Sequence, residues 1–110
     1  MSKYHSRKTV IDGITFDSKA EAERYSDLKL LERAGFISSL VLQPEFELQP
    51  KFHKNGKTYR SITYRADFSY TEQGKTIIED VKGMETKEFK LKRKLFEYRY
   101  PDLTIREIKA

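Results

Sequence analysis

Three residues in the second half of the chain have the types and the spacing needed for hydrolytic chemistry at a phosphodiester. Asp80 and Lys82 stand two positions apart, so on an extended strand their side chains project from the same face. Asp67 lies thirteen positions before Asp80, a separation that a hairpin can close. Two carboxylates brought together repel each other unless a cation lies between them, and hard oxygen ligands suit Mg²⁺. A lysine beside that cation can hold a water molecule or stabilise charge on a phosphoryl oxygen.

The composition removes most other catalytic chemistry. The 110-residue chain contains no cysteine, which excludes disulfides, thiolate zinc sites and cysteine nucleophiles. Its two histidines, His5 and His53, lie in different polar contexts and do not suggest a histidine-built metal site. Catalysis would therefore rest on carboxylates, lysines or hydroxyls.

The length and the apolar pattern predict one domain inside the cell. Two independent cores would have about 55 residues each, which is near the lower limit for unaided folding. No apolar run approaches the roughly 20 residues that span a bilayer, and the N-terminus lacks the apolar segment of a signal peptide. We therefore expect no membrane partner.

The basic excess is concentrated in two places. The formal net charge is +5, from 22 Lys and Arg against 17 Asp and Glu. Five basic residues and no acid lie between Lys51 and Arg65, and three lysines spaced i, i+3 and i+7 form a stripe on the second predicted helix. Such clusters suit a phosphate backbone, although a solvated surface selected for solubility has the same composition. The candidate DNA-binding residues are Lys54, Lys57, Arg60, Lys87, Lys90 and Lys94.

Alternating and helical periods predict the elements that must position these residues. The predicted order is a helix over 17–34 ended by Gly35, an extended segment over 36–48 that is bent or edge-exposed at Pro44, a strand over 58–70, a strand over 76–82, a helix over 86–98 and a strand over 103–108. Turns are expected at Asn55-Gly56 and Gln73-Gly74. This α-β-β-β-α-β order gives an antiparallel meander and then a helical crossover, with helices on both faces.

Two apolar patterns predict which side chains enter the core. Alternation along the strand over 58–70 predicts one shared face, and helical spacing predicts one stripe on the second helix. The strand face consists of Ile62, Tyr64, Ala66, Phe68 and Tyr70, and the helix stripe consists of Leu91, Leu95 and Tyr98, with Phe89 and Phe96 beside it.

Four segments carry a resemblance to a known superfamily. They are Gly13 to Lys19 (GITFDSK), Glu21 to Tyr25 (EAERY), Thr63 to Phe68 (TYRADF) and Glu79 to Gly83 (EDVKG). In this order they resemble the PD-(D/E)xK nucleases, and within them a small phage- and prophage-encoded family known largely as a domain of unknown function. The resemblance runs from about Tyr4 to Ile108. Ala66 stands in place of the superfamily's proline, which is variable and is not a ligand.

The resemblance implies a fold and a role for each site residue. The fold class would be α/β (α+β), with an αβββαβ restriction-endonuclease-like core and a mixed sheet flanked by helices. Asp67 and Asp80 would ligate the metal, Lys82 would position the attacking water, and Glu21 would reach the metal directly or through water. The metal would be Mg²⁺, with Mn²⁺ able to substitute. The nuclease-like domain would cover residues 13–110, after a flexible basic tail over residues 1–12.

Two of the acids have structural alternatives. Ser18-Lys19-Ala20-Glu21 is also a capping box, in which the Glu21 carboxylate accepts from the Ser18 amide. Glu23 is the fallback ligand, but it lies about 200° from Glu21 around the helix, so both cannot face one metal. Asp80 and Lys82 could form an exposed cross-strand charge pair, although the apolar neighbours on their strand favour an interior position. Glu79 points to the opposite face from Asp80 and is expected at the surface or behind the site.

The function that these observations predict is a metal-dependent DNA endonuclease in phage DNA metabolism, acting in the cytoplasm of a bacterial host cell. A domain this small has little room for a separate specificity module, so we expect it to recognise branched, flap or end structures. A homodimer or phage replication and recombination proteins are candidate partners. One alternative is a non-catalytic DNA-binding or replication-accessory phage protein that retains the fold. A further alternative is a structural phage protein that uses its charge in assembly.

Overall fold

Residues 8–110, the part of the chain that the computed structural model describes, form two helices and ten strands. The helices are α1 (Lys19–Arg33) and α2 (Lys87–Arg99). The strands are β1 (Thr9–Ile11), β2 (Ile14–Phe16), β3 (Ser38–Leu42), β4 (Glu45–Gln49), β5 (Phe52–Lys54), β6 (Lys57–Tyr59), β7 (Ile62–Arg65), β8 (Phe68–Glu72), β9 (Lys75–Lys82) and β10 (Ile105–Lys109). The prediction of a mixed α/β fold is confirmed.

The tail predicted over residues 1–12 falls mostly outside the described residues, which begin at residue 8. Of its last residues, Thr9–Ile11 form a strand that pairs antiparallel with β2. Asp12 and Gly13 connect the two strands with positive φ values of 54° and 75°. This left-handed backbone is what a two-residue hairpin turn of this kind requires at both positions. Strands of three residues are too short for the alternation pattern to detect.

Helix α1 begins and ends where the sequence predicts. The Ser18 hydroxyl accepts a hydrogen bond from the Glu21 amide at 3.1 Å and so caps the first turn. Ala34 closes the helix, and Gly35 follows with a φ of 86°, the left-handed conformation that glycine adopts without steric cost. The buried side of the helix consists of Ala22, Tyr25 and Leu28.

A four-stranded sheet in the order β10-β9-β8-β3 lies between the two helices. β9 pairs in parallel with β10 and antiparallel with β8, and β8 pairs antiparallel with β3. Side chains alternate along β9, so Ile77 and Val81 pack with α1 while Ile78 packs with α2. The helices therefore cover opposite faces of the sheet.

Two paired strands bend together at one edge of this sheet. The bends lie at Gln43-Pro44, between β3 and β4, and at Ala66-Asp67, between β7 and β8. The Gln43 amide donates to the Asp67 carbonyl at 2.9 Å, and the Ala66 amide donates to the Pro44 carbonyl at 3.0 Å. Pairing therefore continues through the bend, and β4 and β7 leave the central sheet as a separate two-stranded ribbon. The bend predicted at Pro44 is confirmed.

The bend overturns the predicted single face of the long strand. Tyr64 and Ala66 pack in the cluster beside α2, whereas Phe68 and Tyr70 pack in the cluster beside α1. Simple alternation fails here because the chain passes from one sheet into another at Asp67.

The predicted apolar stripe of α2 is also wrong. Leu91 and Tyr98 are 57% and 89% exposed, and Leu95 is only partly buried. Phe89 and Phe96, which the sequence places beside that stripe, are the buried residues of the helix. They fill this position because they pack against the aromatic side chains of β4 and β7.

This packing predicts a contrast between two aromatic residues of α2. Phe96→Ala should lower the free energy of unfolding by about 3–5 kcal/mol, because it opens a cavity among aromatic rings. Tyr98→Ala should change it by less than about 0.5 kcal/mol, because the ring is exposed. Urea unfolding of both variants measures the difference, and similar losses would contradict the assignment of the buried face.

Candidate active site

The candidate site forms where β7–β8 bends away from β9, and Asp67 lies in the bend. Its amide donates to the Glu79 carbonyl at 3.0 Å, which is the last backbone bond before the strands separate. Its carboxylate accepts the Val81 amide at 2.7 Å. The side chain thereby satisfies an N–H on β9 that the departing strand leaves without a backbone acceptor.

Asp80 and Lys82 lie side by side on β9, on the face toward α2. The Asp80 side chain is almost fully buried, and its Oδ1 lies 3.1 Å from the Lys82 Nζ. The other carboxylate oxygen accepts a hydrogen bond from the Tyr64 hydroxyl. Lys82 is 30% exposed, and its Nζ lies 4.4 Å from the centre of the Phe89 ring. The predicted shared face of Asp80 and Lys82 is confirmed, and the exposed edge pair is excluded by the burial of Asp80.

Glu21 approaches the same place from the first turn of α1. Half-burial raises the pKa of its carboxyl, and the charges of Asp17 and Asp80 raise it further, while Lys82 and Arg65 lower it. Within residues 8–110, no hydrogen bond joins the Glu21 carboxylate to the Ser18 amide. Ser18 therefore caps the helix without the reciprocal half of the capping box, and the Glu21 carboxylate lies in the field of Asp80 and Lys82.

The pKa of Asp67 depends on its burial and on the neighbouring acids. Burial raises the pKa of Asp67 to about 7, against the opposing effect of the Val81 amide. The neighbouring carboxyls of Asp80 and Glu21 raise it further. Asp80 and Glu21 therefore lie near enough to Asp67 for their charges to disfavour its ionisation.

No group of three acidic or histidine side chains in the described part of the chain is arranged to hold a metal ion as it stands. Asp67 and Asp80 are instead held by protein donors, the Val81 amide and the Tyr64 hydroxyl.

Two open clefts give the acids access to solvent. A cleft of about 120 Å³ is lined in part by Glu21 and Asp67. A second, of about 350 Å³, is lined in part by Asp80 and Lys82. Among the other residues around the second cleft are three that the sequence analysis does not select: Tyr64, Arg65 and Lys92. The signal for Arg65 is its place in the acid-free basic segment, whereas Lys92 lies off the predicted lysine stripe.

Glu79, the residue before Asp80, occupies the opposite face of β9 and is fully buried. The Arg24 guanidinium donates two hydrogen bonds to its carboxylate, at 2.8 and 2.6 Å, and the Tyr70 hydroxyl donates a third. These bonds raise the pKa of Arg24. Burial, and then the bond to Glu79, raises the pKa of Tyr70 to about 12. Of the two positions expected for Glu79, at the surface or behind the site, its burial excludes the surface, because α1 covers this face and supplies a paired cation.

Comparison with known proteins gives one match. A family model described as "Protein of unknown function (DUF1064)" matches residues 1–110. The chain belongs to this family. Neither the curated proteins nor the solved structures contain a match to it. The family match gives no support for membership of the PD-(D/E)xK superfamily, so that resemblance stays a prediction.

The predicted DNA-binding residues of this DUF1064 chain are exposed and fall into two separate groups. Lys87, Lys90 and Lys94 lie on α2, and Lys54, Lys57 and Arg60 lie on or next to the β5–β6 hairpin. None of the six lines either cleft beside the acids. Neither α1 nor α2 is long and apolar enough to cross a membrane.

The raised pKa of Asp67 predicts how stability depends on pH in the absence of metal. Between about pH 4 and pH 7 the folded protein holds a proton that the unfolded chain has released, so stability falls as the pH rises through this window. Asp67→Asn keeps an acceptor for the Val81 amide and removes this loss. In EDTA at pH 8 the variant should be more stable than wild type by about 1–2 kcal/mol, and the difference should shrink toward pH 4.

Urea unfolding across this pH range checks the prediction, with Asp27→Asn on the exposed side of α1 as the matched control. An Asp67→Asn effect that does not vary with pH, or that equals the control, would contradict it.

The Arg24–Glu79 pair predicts a large loss when one partner is removed. Arg24→Met leaves a buried carboxylate without its cation and should cost about 3–5 kcal/mol of unfolding free energy. The double variant Arg24→Met/Glu79→Met should regain much of that loss, because no unpaired charge remains. Lys19→Met, which removes an exposed pair with Glu23 on the same helix, should cost less than about 1 kcal/mol. A double variant no more stable than the single one would contradict this account.

Proposed function

We propose that the chain is a metal-dependent deoxyribonuclease that hydrolyses DNA phosphodiester bonds, with Glu21, Asp67, Asp80 and Lys82 as its active site. One observation carries the proposal. Three carboxylates from three elements, with Lys82 beside Asp80, line two open clefts, and the charges of Asp80 and Glu21 act on Asp67. Structural side chains are rarely gathered in this way, since like charges in a partly buried site oppose folding unless a ligand compensates them.

The order of the elements adds support. α1, the β3–β4 segment, the β7–β8 segment, β9, α2 and β10 follow the αβββαβ order that the PD-(D/E)xK resemblance implies, with the hairpins β1–β2 and β5–β6 added. The sheet is mixed and has a helix on each face. Fold order alone does not specify an activity, so the proposal depends on the site.

The donor set suits a hard divalent cation. All three acids offer carboxylate oxygens, which are preferred by Mg²⁺ and accepted by Mn²⁺, and none of the four site residues offers the sulfur or imidazole that favours zinc. Asp67 and Asp80 would hold the ion, with Glu21 reaching it directly or through water. When bound, a divalent cation lowers the pKa of a coordinated water and stabilises charge on a phosphoryl oxygen.

The chain's own residues supply the remaining roles. Lys82, which is partly exposed at the cleft, can orient the attacking water or interact with a phosphate oxygen, while its contact with Phe89 restrains its side chain. Arg65 and Lys92 line the same cleft and can bind adjacent phosphates. The buried Tyr64 hydroxyl fixes the orientation of Asp80.

The DNA substrate would be recognised by its structure, because 110 residues leave little surface for reading a long sequence. Branched, flap or end substrates in phage DNA metabolism, inside a bacterial host cell, fit this limit. A second copy of the chain or phage replication and recombination proteins would supply further selectivity.

A second candidate, a non-catalytic DNA-binding or replication-accessory protein, is favoured by one observation. The two aspartates already have protein partners that account for them structurally, since Asp67 accepts the Val81 amide and Asp80 pairs with Lys82 and Tyr64. On this reading the acids hold the bend together and the basic residues alone bind DNA.

Cleavage assays separate the two candidates. Branched, single-stranded and duplex DNA are incubated with Mg²⁺ or Mn²⁺ and with wild type, Asp80→Asn or Lys82→Met. We expect wild type to cut at least one substrate and both variants to lose about 100-fold or more in rate while still binding DNA in EDTA. Binding without any metal-dependent cutting would instead support the non-catalytic candidate.

The role of Glu21 needs its own comparison. Glu21→Gln should reduce cleavage and weaken stabilisation of the fold by Mn²⁺ in thermal unfolding. Glu23→Gln, two positions away and on another side of α1, is the matched control and should leave both unchanged. Equal cleavage and equal Mn²⁺ stabilisation in the two variants would return Glu21 to a structural role.

A further inference from the structure

The β5–β6 hairpin projects from the rest of the molecule. We call residues 52–59, which comprise β5, the Asn55-Gly56 turn and β6, the arm. Every residue of the arm is exposed, and its substantial contacts are between its own two strands. A two-stranded hairpin gains little stability by itself in water. Packing within the fold therefore does not account for the presence of this exposed arm.

The charges at the tip of the arm oppose its own folding. Lys54 and Lys57 are direct cross-strand partners on either side of the Asn55-Gly56 turn. Like charges placed directly opposite destabilise a strand pair. The segment from residue 51 to residue 65 contains no acid that could compensate them.

The other two-residue turns of the described chain provide an internal comparison. The pair that flanks Gln73-Gly74 is Glu72 and Lys75, which have opposite charges. The pair that flanks Asp12-Gly13 is Ile11 and Ile14, which are apolar. Among these three hairpins, the arm is the one whose flanking pair is repulsive, and it is also the one that packs on nothing.

The rest of the arm is built to hold this charged tip in place. Phe52 and Tyr59 pair across the strands and stack with ring centroids 4.7 Å apart and planes 9° from parallel. The Lys57 Nζ lies 5.3 Å from the Tyr59 ring centroid. Because side chains alternate along a strand, the two rings and the two ammonium groups share one face of the arm.

We infer that the arm binds the phosphate backbone of duplex DNA beyond the cleaved bond, with Lys54 and Lys57 each neutralising a phosphate. This inference rests on the proposed function in one respect, the choice of DNA as the polyanion. A two-stranded ribbon fits the major groove of a duplex, and phosphates on the groove wall would relieve the repulsion at the tip.

The connection of the arm to the site limits where it can bind. The arm continues from the β4–β7 ribbon, which begins beside Asp67. Ten residues separate Asp67 from Lys57 along the chain, so the tip reaches no more than about 33 Å from the site at ~3.3 Å per residue. This length corresponds to roughly ten base pairs, or one turn of the duplex. The arm would therefore contact intact duplex within about one turn of the cleaved position, on one side of it.

Salt-dependent binding to a duplex of about three helical turns (~30 base pairs), measured in EDTA, tests the arm independently of cleavage. Lys54→Gln/Lys57→Gln should reduce the magnitude of the slope of log K against log salt by about 2, and it should be at least as stable as wild type in urea. The matched control is Arg33→Gln/Lys75→Gln, which removes two exposed cations elsewhere and should leave the slope unchanged. Equal slopes in the two variants, or a loss of stability in the arm variant, would overturn the inference.

A cross-linking experiment tests the position of the arm. The chain has no cysteine, so Thr58→Cys in the arm and Thr76→Cys after the Gln73-Gly74 turn each carry a single thiol for a photo-crosslinker. We expect cross-links to the duplex from position 58 and none from position 76. Cross-links from both positions, or cross-linking of anionic vesicles in preference to the duplex, would overturn the inference.

The outcomes distinguish this inference from the proposed function. If the slope falls in the arm variant but no substrate is cut in Mg²⁺, the nuclease proposal fails and the arm is supported. If DNA is cut through Asp80 but the slope is unchanged in the arm variant, the arm inference alone fails.

Discussion

The buried ion pair between Arg24 and Glu79 is the interaction on which the arrangement of the site depends. A carboxylate with no exposed surface is tolerated only when both of its oxygens are bonded, and Arg24 and Tyr70 provide those bonds. Glu21 lies one turn before Arg24 on α1, and Asp80 follows Glu79 on β9. Because the pair holds α1 against β9, it also sets the distance between Glu21 and Asp80, which are candidate metal ligands. The pair supports the site without taking part in its chemistry.

The bend at Asp67 is the second constraint, and it has a cost. Where β7 leaves the sheet, β9 loses a backbone partner, and the Asp67 carboxylate replaces it by accepting the Val81 amide. The same carboxylate is half-buried beside other acids, and its pKa is raised accordingly. The Asp67 side chain thus takes part in the hydrogen bonding of the sheet and also belongs to the candidate site.

Local signals in the sequence predict much of the fold. The cap at Ser18, the glycine after α1 and the Asn55-Gly56 turn each depend on a few adjacent residues, and the structure has all of them. The strand period likewise predicts the shared face of Asp80 and Lys82. What the sequence does not reveal are relations between distant residues. Arg24 and Glu79 are 55 positions apart, and the exchange of faces at Asp67 and the burial of Phe96 depend on which sheet each segment joins. The nearness of Glu21 to the other acids is predicted only by the family resemblance, since the local pattern by itself favours a capping box.

The two adjacent acids on β9 create a problem of strand register. The strand carries apolar side chains toward both helices, so hydrophobic burial discriminates only weakly against a slip by one residue. Such a slip would put one of the two carboxylates, Glu79 or Asp80, in the place of the other. The charge at that place would be unchanged, so electrostatics would not disfavour the slip either. The side chains of Glu79 and Asp80 differ in length by one methylene group. Glutamate extends far enough to meet the guanidinium of α1, and aspartate is short enough to stay beneath the Tyr64 hydroxyl. The lengths of the two side chains therefore act together with the Gln73-Gly74 turn in selecting the register of the central strand.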